Sequence, residues 1–279
     1  MTHEANTGYR ILAGAPTSPV LLHVPHSARH IPADVRRDMV LDDTALAVEL
    51  DHITDGHTAD IAARAAQQVE LTPWQFINQL SRLVIDPERF PDEREEMLAV
   101  GMGAVYTHTT HREPLRKPGH DPQPLIDAYY TPYAQAMTQL VDDLLARTGR
   151  AVIIDVHSYP TRTLPYELHG DGPRPPICLG TDPFHTPPEL LDRAREAFAS
   201  TGETSVNSPF AGTYVPLKHY GRDARVQALM IEIRRDQYMH EPGGSTTHGV
   251  DSLAAGLAAL AGSVAGGVPV TNYQRENRT

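Results

Sequence analysis

The chain has 279 residues and a single cysteine, Cys178. One thiol excludes an intrachain disulfide framework and any cysteine-built zinc module. Positive charge is also scarce: 24 Lys and Arg against 35 Asp and Glu give a formal net charge of -11. That balance argues against a nucleic-acid backbone or an anionic membrane as the main partner, since both reward net positive charge. Long apolar runs are missing too. The first ten residues are polar and lack the apolar core of a signal peptide. The stretch 253–270 is mostly Ala and Gly and reads as an Ala-rich packed helix ending near Gly266 and Gly267, not as a membrane span. These absences point to a globular cytoplasmic protein with no membrane or nucleic-acid partner, and nothing in the sequence sets an oligomeric state. What is present is enough apolar residue for a core, at 40% hydrophobic, together with an unusual fifteen histidines.

No internal repeat or low-complexity linker divides the chain, so residues 1–279 read as one domain. Short apolar runs alternate with longer helical patterns. Residues 20–24, closed by Pro25, read as a buried strand, as do 83–85, which stop at Asp86-Pro87. Residues 151–156 are nearly all apolar, as expected for a strand covered on both faces; 177–179 and 229–233 follow the same pattern. Helices are expected over 42–49, 58–68, 125–147 (closed by Gly149), 189–200 and 251–264. Alternating strands and helices predict a three-layer α/β/α fold around a mixed, largely parallel sheet.

In open α/β sheets, sites collect beyond the carboxyl ends of the strands. The first strand runs into Pro25-His26-Ser27, the central one into His157-Ser158, and the late one carries Glu232. Two histidines on rigid strand ends suit a zinc site, although a histidine after a strand is also commonly a hydrogen-bonded structural residue. His23 and His26 would point to opposite faces of a strand, which makes His23 structural. The His108/His111 pair also has metal-like spacing. Ahead of a helix, Glu49, Asp51, His52, Asp55 and His57 gather carboxylates and imidazoles, and Asp55 stands where it either caps the helix or binds a metal. Residues 92–96 (DEREE) read as a solvated charged face and Cys178 as a core residue. Arg82 and Arg89 flank the 83–85 run; each is either a surface ion-pair partner or a bidentate carboxylate binder.

Taken together, the segments resemble the N-formylglutamate amidohydrolase family. They are Val24-Pro25-His26-Ser27 with Ile31-Pro32, residues 51–55, Ser81-Arg82 through Asp86 with Arg89, and Asp155-Val156-His157-Ser158. Gly212-Thr213-Tyr214, His219-Tyr220-Gly221, residues 229–232 and Tyr238-Met239 complete the set in the family's order, over about residues 20–245. The resemblance implies a zinc-carboxypeptidase-like α/β/α fold and hydrolysis of an N-acyl amide, in the named case N-formyl-L-glutamate to formate and glutamate. It implies one Zn2+ per chain held by His26, Asp55 and His157, with Asp51 in reserve, and Mn2+, Fe2+ or Co2+ as alternatives. Glu232 would be the general base. Arg82 would lead in binding the substrate carboxylate, with Arg89 and Arg112 as further candidates. Arg162 and Tyr214 would stabilise the oxyanion, and Asp155 would orient a ligand histidine.

The sequence departs from the family pattern at Ala28, where glycine is usual, and in the loops after Tyr106 and Tyr159. Those loops would shape the pocket, so the departures bear on which N-acyl or formimidoyl substrate is taken. A non-catalytic reading, a histidine-rich metal-storage protein, would instead spread several weak sites over His108, His111 and His120.

Overall fold

The computed structural model describes residues 8–170 and 172–266. The expected helix end at Gly267 and the polar segment before Gly8 lie outside the described residues. Among those residues, seven strands form one sheet: β1 (Tyr9–Leu12), β2 (Val20–Val24), β3 (Trp74–Asn78), β4 (Ala151–Tyr159), β5 (Ile177–Gly180), β6 (Thr204–Val206) and β7 (Val226–Arg234). Their order is β1-β3-β2-β4-β7-β5-β6. The central β3, β2, β4 and β7 run parallel. β1 is antiparallel to β3, and β5 to β7, with β6 parallel to β5. The sheet is therefore mixed with a parallel centre, as the sequence predicts.

The helices are α1 (Ala33–Arg36), α2 (Asp43–Ile53), α3 (Thr58–Gln68), α4 (Gln123–Leu125), α5 (Thr131–Thr148), α6 (Pro188–Ala197) and α7 (Gly249–Ala265). Asp42 caps α2 by accepting from Ala45 N at 2.8 Å. Gly149 closes α5 at φ +78°, a conformation glycine adopts without steric cost. None of the described helices is long and apolar enough to cross a membrane.

One face of the sheet carries Leu22, Val24, Ile154, Val156, Leu229 and Ile231, packed against Ile61 and Ala65 of α3, Leu190 of α6 and Leu257 of α7. The other face carries Leu21, Phe76, Ala151, Ile153 and Ala228 beneath Tyr133, Met137, Val141 and Leu144 of α5. A third cluster, built from Val35, Leu46, Leu83, Ile85, Tyr106 and Leu115, fills the loop layer beside the sheet.

Residues 83–85 belong to that third cluster and form a buried turn, not the expected strand. The Leu83 carbonyl accepts from the buried Arg116 guanidinium at 2.7 Å. A side chain thus satisfies a backbone group that a strand would have paired in a ladder.

The chain leaves β2 to build β3 on one side and β4 on the other, so the crevice outside their carboxyl ends is a topological switch point. Along β4, alternate residues share a face. Ala151 and Ile153 lie under α5, while Asp155, His157 and Tyr159 continue on the same side into the loop layer.

Candidate active site

Strand register brings the polar residues together. His23 pairs with Asp155 across β2 and β4, His157 with Glu232 across β4 and β7, and Glu232 with Cys178 across β7 and β5. Parallel and antiparallel partners point the same way, so these five side chains share one sheet face. His26 follows β2 in a turn held from two sides. Asn78 Nδ2 donates to Pro25 O at 2.8 Å, and Asp55 N donates to His26 O at 3.0 Å. The second bond delivers Asp55 to the histidines.

His26 Nδ1 and His157 Nδ1 lie 3.2 Å apart. Asp55 Oδ2 is 3.3 Å from the His157 nitrogen and 3.6 Å from the His26 nitrogen. On the far sides of the rings, His26 Nε2 lies 2.9 Å from Asp86 Oδ1 and His157 Nε2 lies 3.1 Å from Asp155 Oδ1. Asp86 favours the His26 proton on Nε2, and Asp155 and Glu88 carboxylate oxygens flank His157 Nε2 at 3.1 and 3.2 Å; in that neutral tautomer both Nδ1 atoms are lone-pair donors. With both rings in that tautomer, three acceptors converge with no donor between them, and Asp55 Oδ2 is buried without a hydrogen bond. Ligand atoms about 2.0–2.1 Å from a tetrahedral zinc are separated by about 3.3 Å. The residues present fit a zinc-type cation in both donor chemistry and spacing.

A second carboxylate, Glu88, approaches the same rings. Its Oε2 is 3.2 Å from His157 Nε2 and 3.7 Å from His26 Nε2, and its Oε1 is 3.4 Å from His23 Nδ1. Two further trios with metal-ligating potential follow, His26/Glu88/His157 and His23/Glu88/Asp155. The first draws on Nε2 atoms that already face Asp86 and Asp155, and in the second His23 Nδ1 and Asp155 Oδ1 already bond each other at 2.9 Å, so the Nδ1/Nδ1/Oδ2 set fits better. His108, His111 and His120 join no such group among the described residues.

The electrostatics follow from burial and pairing. Burial alone would raise the pKa of Asp55, but His157, His26 and Arg235 hold it well below the carboxylate range. Burial pushes Glu232 up to about 7; the His157 charge opposes this and the Asp55 charge adds to it. Burial works against a charged His157, yet Glu88 and Asp155 outweigh it and raise its pKa. His23 is structural, as expected: it is buried, with Nδ1 2.9 Å from Asp155 Oδ1 and Nε2 2.6 Å from Tyr133 Oη. Cys178 is buried and its thiol is pushed up by that burial, which fits a core residue.

The site opens into a cavity of about 530 Å³ whose lining includes His26, Asp55, Arg82, Arg89, His157, Tyr214, Glu232 and Arg235. Arg82 donates to Asp86 Oδ2 at 2.7 Å and to Tyr106 Oη at 2.9 Å. Arg89 lies 3.5 Å from both Asp86 and Glu95 carboxylates. Tyr214 borders the His23 ring at 4.8 Å, and burial raises its phenol pKa well above the usual value.

Three expected candidates stand elsewhere. Asp51 pairs with Arg29 at 2.7 Å on a partly exposed edge. Arg112 is exposed and donates to Pro165 O at 2.7 Å. Arg162 is exposed, in a segment whose Thr161 N donates to a Glu241 carboxylate oxygen at 3.1 Å. Neither arginine lines the cavity. The helix-capping reading of Asp55 also fails, since His57 occupies the α3 N-cap position and no side chain caps it. The 92–96 segment is only partly a solvated face. Glu95 is buried and accepts from Phe90 N and Met97 N, both at 3.0 Å.

Sequence reasoning missed Asp86 as the partner of His26, as well as Glu88 and Arg235. A carboxylate stopping a buried apolar run four residues after an arginine is a usable sign for Asp86. A charged residue at the end of a buried strand is a usable sign for Arg235. Glu88 carries no such sign.

The sequence pattern of the N-formylglutamate amidohydrolase family matches residues 18–239. The crystal structure of N-formylglutamate amidohydrolase from Ralstonia eutropha JMP134 superposes with a TM-score of 0.77 at 24% identity, covering 93% of this chain and 97% of its own. A gene product of Agrobacterium tumefaciens superposes with a TM-score of 0.64 at 18% identity, over 92% of this chain and 94% of its own. At these identities the superpositions bear on the fold. A search of curated protein sequences finds no match.

Proposed function

The chain belongs to the N-formylglutamate amidohydrolase family, whose members are hydrolases of a carbon–nitrogen bond, and from this premise we propose that it hydrolyses N-formyl-L-glutamate to formate and L-glutamate with zinc held by His26, Asp55 and His157. The carrying observation is the convergence of two imidazole nitrogens and an orphaned carboxylate oxygen within 3.2–3.6 Å of one another. Zinc with three protein ligands supplies Lewis acidity and a water of lowered pKa at its open position. The donor set also admits Mn2+, Fe2+ or Co2+.

The remaining work falls to the chain's own residues. Glu232, with Oε2 buried and unpaired, takes a proton from the attacking water and returns it to the departing amine nitrogen. Burial raises its pKa in the metal-free chain, and a cation at the three ligands would pull it back down. Asp155 accepts from His23 and lies 3.1 Å from His157 Nε2, where its charge favours a proton on that nitrogen and so the tautomer that presents Nδ1. Arg82 is anchored on one edge by Asp86 and Tyr106, which leaves Nη1 for a substrate carboxylate. Tyr214 stays protonated and can donate to the carbonyl oxygen as charge develops there.

One observation favours a second reading, a bulkier N-acyl substrate. The cavity is drug-sized, Phe90, Tyr166, Phe210 and Tyr220 are among its lining, and its arginines already face carboxylates. The deciding experiment is formate release from N-formyl-L-glutamate by zinc-loaded protein, with a chelated control. Chelator-sensitive release supports the proposal. No release from folded, metal-loaded protein refutes the glutamate assignment and moves the choice to larger N-acyl amino acids.

A further inference from the structure

Arg235 is a fully formed but unassigned part of this centre. It sits in the tight turn that ends β7, three residues after Glu232, and is only 3% exposed. Its fork reaches three segments at once. Nη1 donates to His52 O at 2.5 Å at the end of α2, and Nη2 donates to Asp55 Oδ1 at 3.1 Å. Nε donates to Ser158 Oγ at 3.2 Å, beside His157.

We infer that Arg235 is a positioning residue for the metal centre: it holds Asp55 by one oxygen so that the other faces the two histidine nitrogens. This rests on the metal reading above. A carboxylate on a loop is free to rotate or to bind through either oxygen. Occupying Oδ1 with a fixed donor leaves Oδ2 as the ligand atom, and Oδ2 is the buried oxygen that has no hydrogen bond. The same guanidinium ties this loop to the residue after His157, so two of the three ligands are held in one frame.

The placement also carries a cost that makes the inference decisive. A guanidinium beside a ligand carboxylate repels an incoming cation and makes the carboxylate a weaker donor. If its charge were its main effect on the centre, removing it would tighten metal binding. If positioning dominates, removing it loosens binding. The two possibilities differ in sign. Lysine keeps the charge but not the planar fork, and so separates them.

The experiment is zinc affinity by competition with a chromophoric chelator, for wild type, Arg235→Lys, Arg235→Gln and the control Arg234→Gln. Arg234 is half-buried, pairs with Asp236 and donates to Arg174 O, and touches none of the three ligands. Both Arg235 variants are expected to lose roughly 10–100-fold in zinc affinity, the usual range for groups that orient metal ligands, with the control unchanged. The visible spectrum of the cobalt-substituted Lys variant should shift, reporting altered coordination. If Arg235→Gln fails to fold, the Lys variant carries the test, with thermal unfolding of the chelated protein confirming its fold. Unchanged or tighter zinc binding overturns the inference, as does a rise in KM alone, which would make Arg235 a substrate-binding residue. A wild type that takes up no zinc overturns the metal reading itself and is distinguishable from both.

Discussion

Asp86→Asn tests the frame around His26 with one nearly isosteric change. Asp86 is fully buried and presents Oδ1 to His26 Nε2 at 2.9 Å and Oδ2 to Arg82 Nη2 at 2.7 Å and Tyr106 Oη at 2.6 Å. Removing one partner of a buried ion pair costs about 3–5 kcal/mol, because the other charge is left uncompensated. At about 2–4 °C per kcal/mol for a domain of this size, melting of chelated protein should fall by about 10 °C. A second effect follows from the amide's single acceptor oxygen. If that oxygen faces Arg82, the amide nitrogen faces His26 Nε2 and can donate only to an unprotonated ring nitrogen. The ring proton then moves to Nδ1 and blocks the ligand atom. Zinc affinity should therefore fall at least about tenfold. Thermal unfolding and chelator competition measure the two effects separately. A melting shift under about 2 °C with unchanged zinc affinity would refute the account of Asp86 as the anchor of both Arg82 and His26.

Further outcomes are expected elsewhere in the molecule. Glu232→Gln should keep zinc but lose turnover by roughly 100-fold or more; near-normal kcat removes Glu232 from proton transfer. Arg82→Ala should mainly raise KM, while Arg162→Ala, at an exposed site outside the cavity, should leave kinetics within about twofold; the reverse pattern would move carboxylate recognition to the 160–166 loop. Glu49 is buried, and burial pushes it up to about 7, against the pull of its bonds from Thr110. The folded state therefore binds this proton more tightly than the unfolded state, so its contribution to stability falls as pH rises from about 4.5 to 7. Glu49→Gln should match wild type near pH 5 and exceed it at pH 8 by up to about 3 kcal/mol in urea unfolding. A difference that does not vary with pH would count against this sign.

Local pattern carried most of the fold. The apolar run of β4 and the amphipathic spacing of α3 and α5 were legible because covering layers impose hydrophobicity at fixed periods. β3 was not foreseen, since Trp74–Asn78 mixes Gln and Asn into a five-residue strand. The apolar 83–85 run was misread for the converse reason. Three buried residues satisfy a strand or a turn equally well, and the choice was made by Arg116, which caps the Leu83 carbonyl from 33 positions away.

The candidate site divides along the same physical line. His26, His157 and Glu232 stood out because each lies in or just beyond a buried strand, where a polar side chain requires a reason. Asp86 and Arg235, which bear on their protonation and orientation, follow a buried run or strand, but nothing local says which ligand each one meets. Asp86 acts on His26 across 60 positions and Arg235 on Asp55 across 180. Arg112 stands apart from the cavity for a related reason, since a nearer acceptor takes its fork. Arg112 donates to Pro165 O, while Arg162 is exposed and absent from the cavity lining. In an acidic chain most arginines meet such competition. Arg82 differs because it lines the cavity while Asp86 and Tyr106 hold its Nε and Nη2. Partial occupation, not freedom, makes it the stronger candidate, since a guanidinium already fixed on one edge loses little further entropy when it binds a carboxylate on the other.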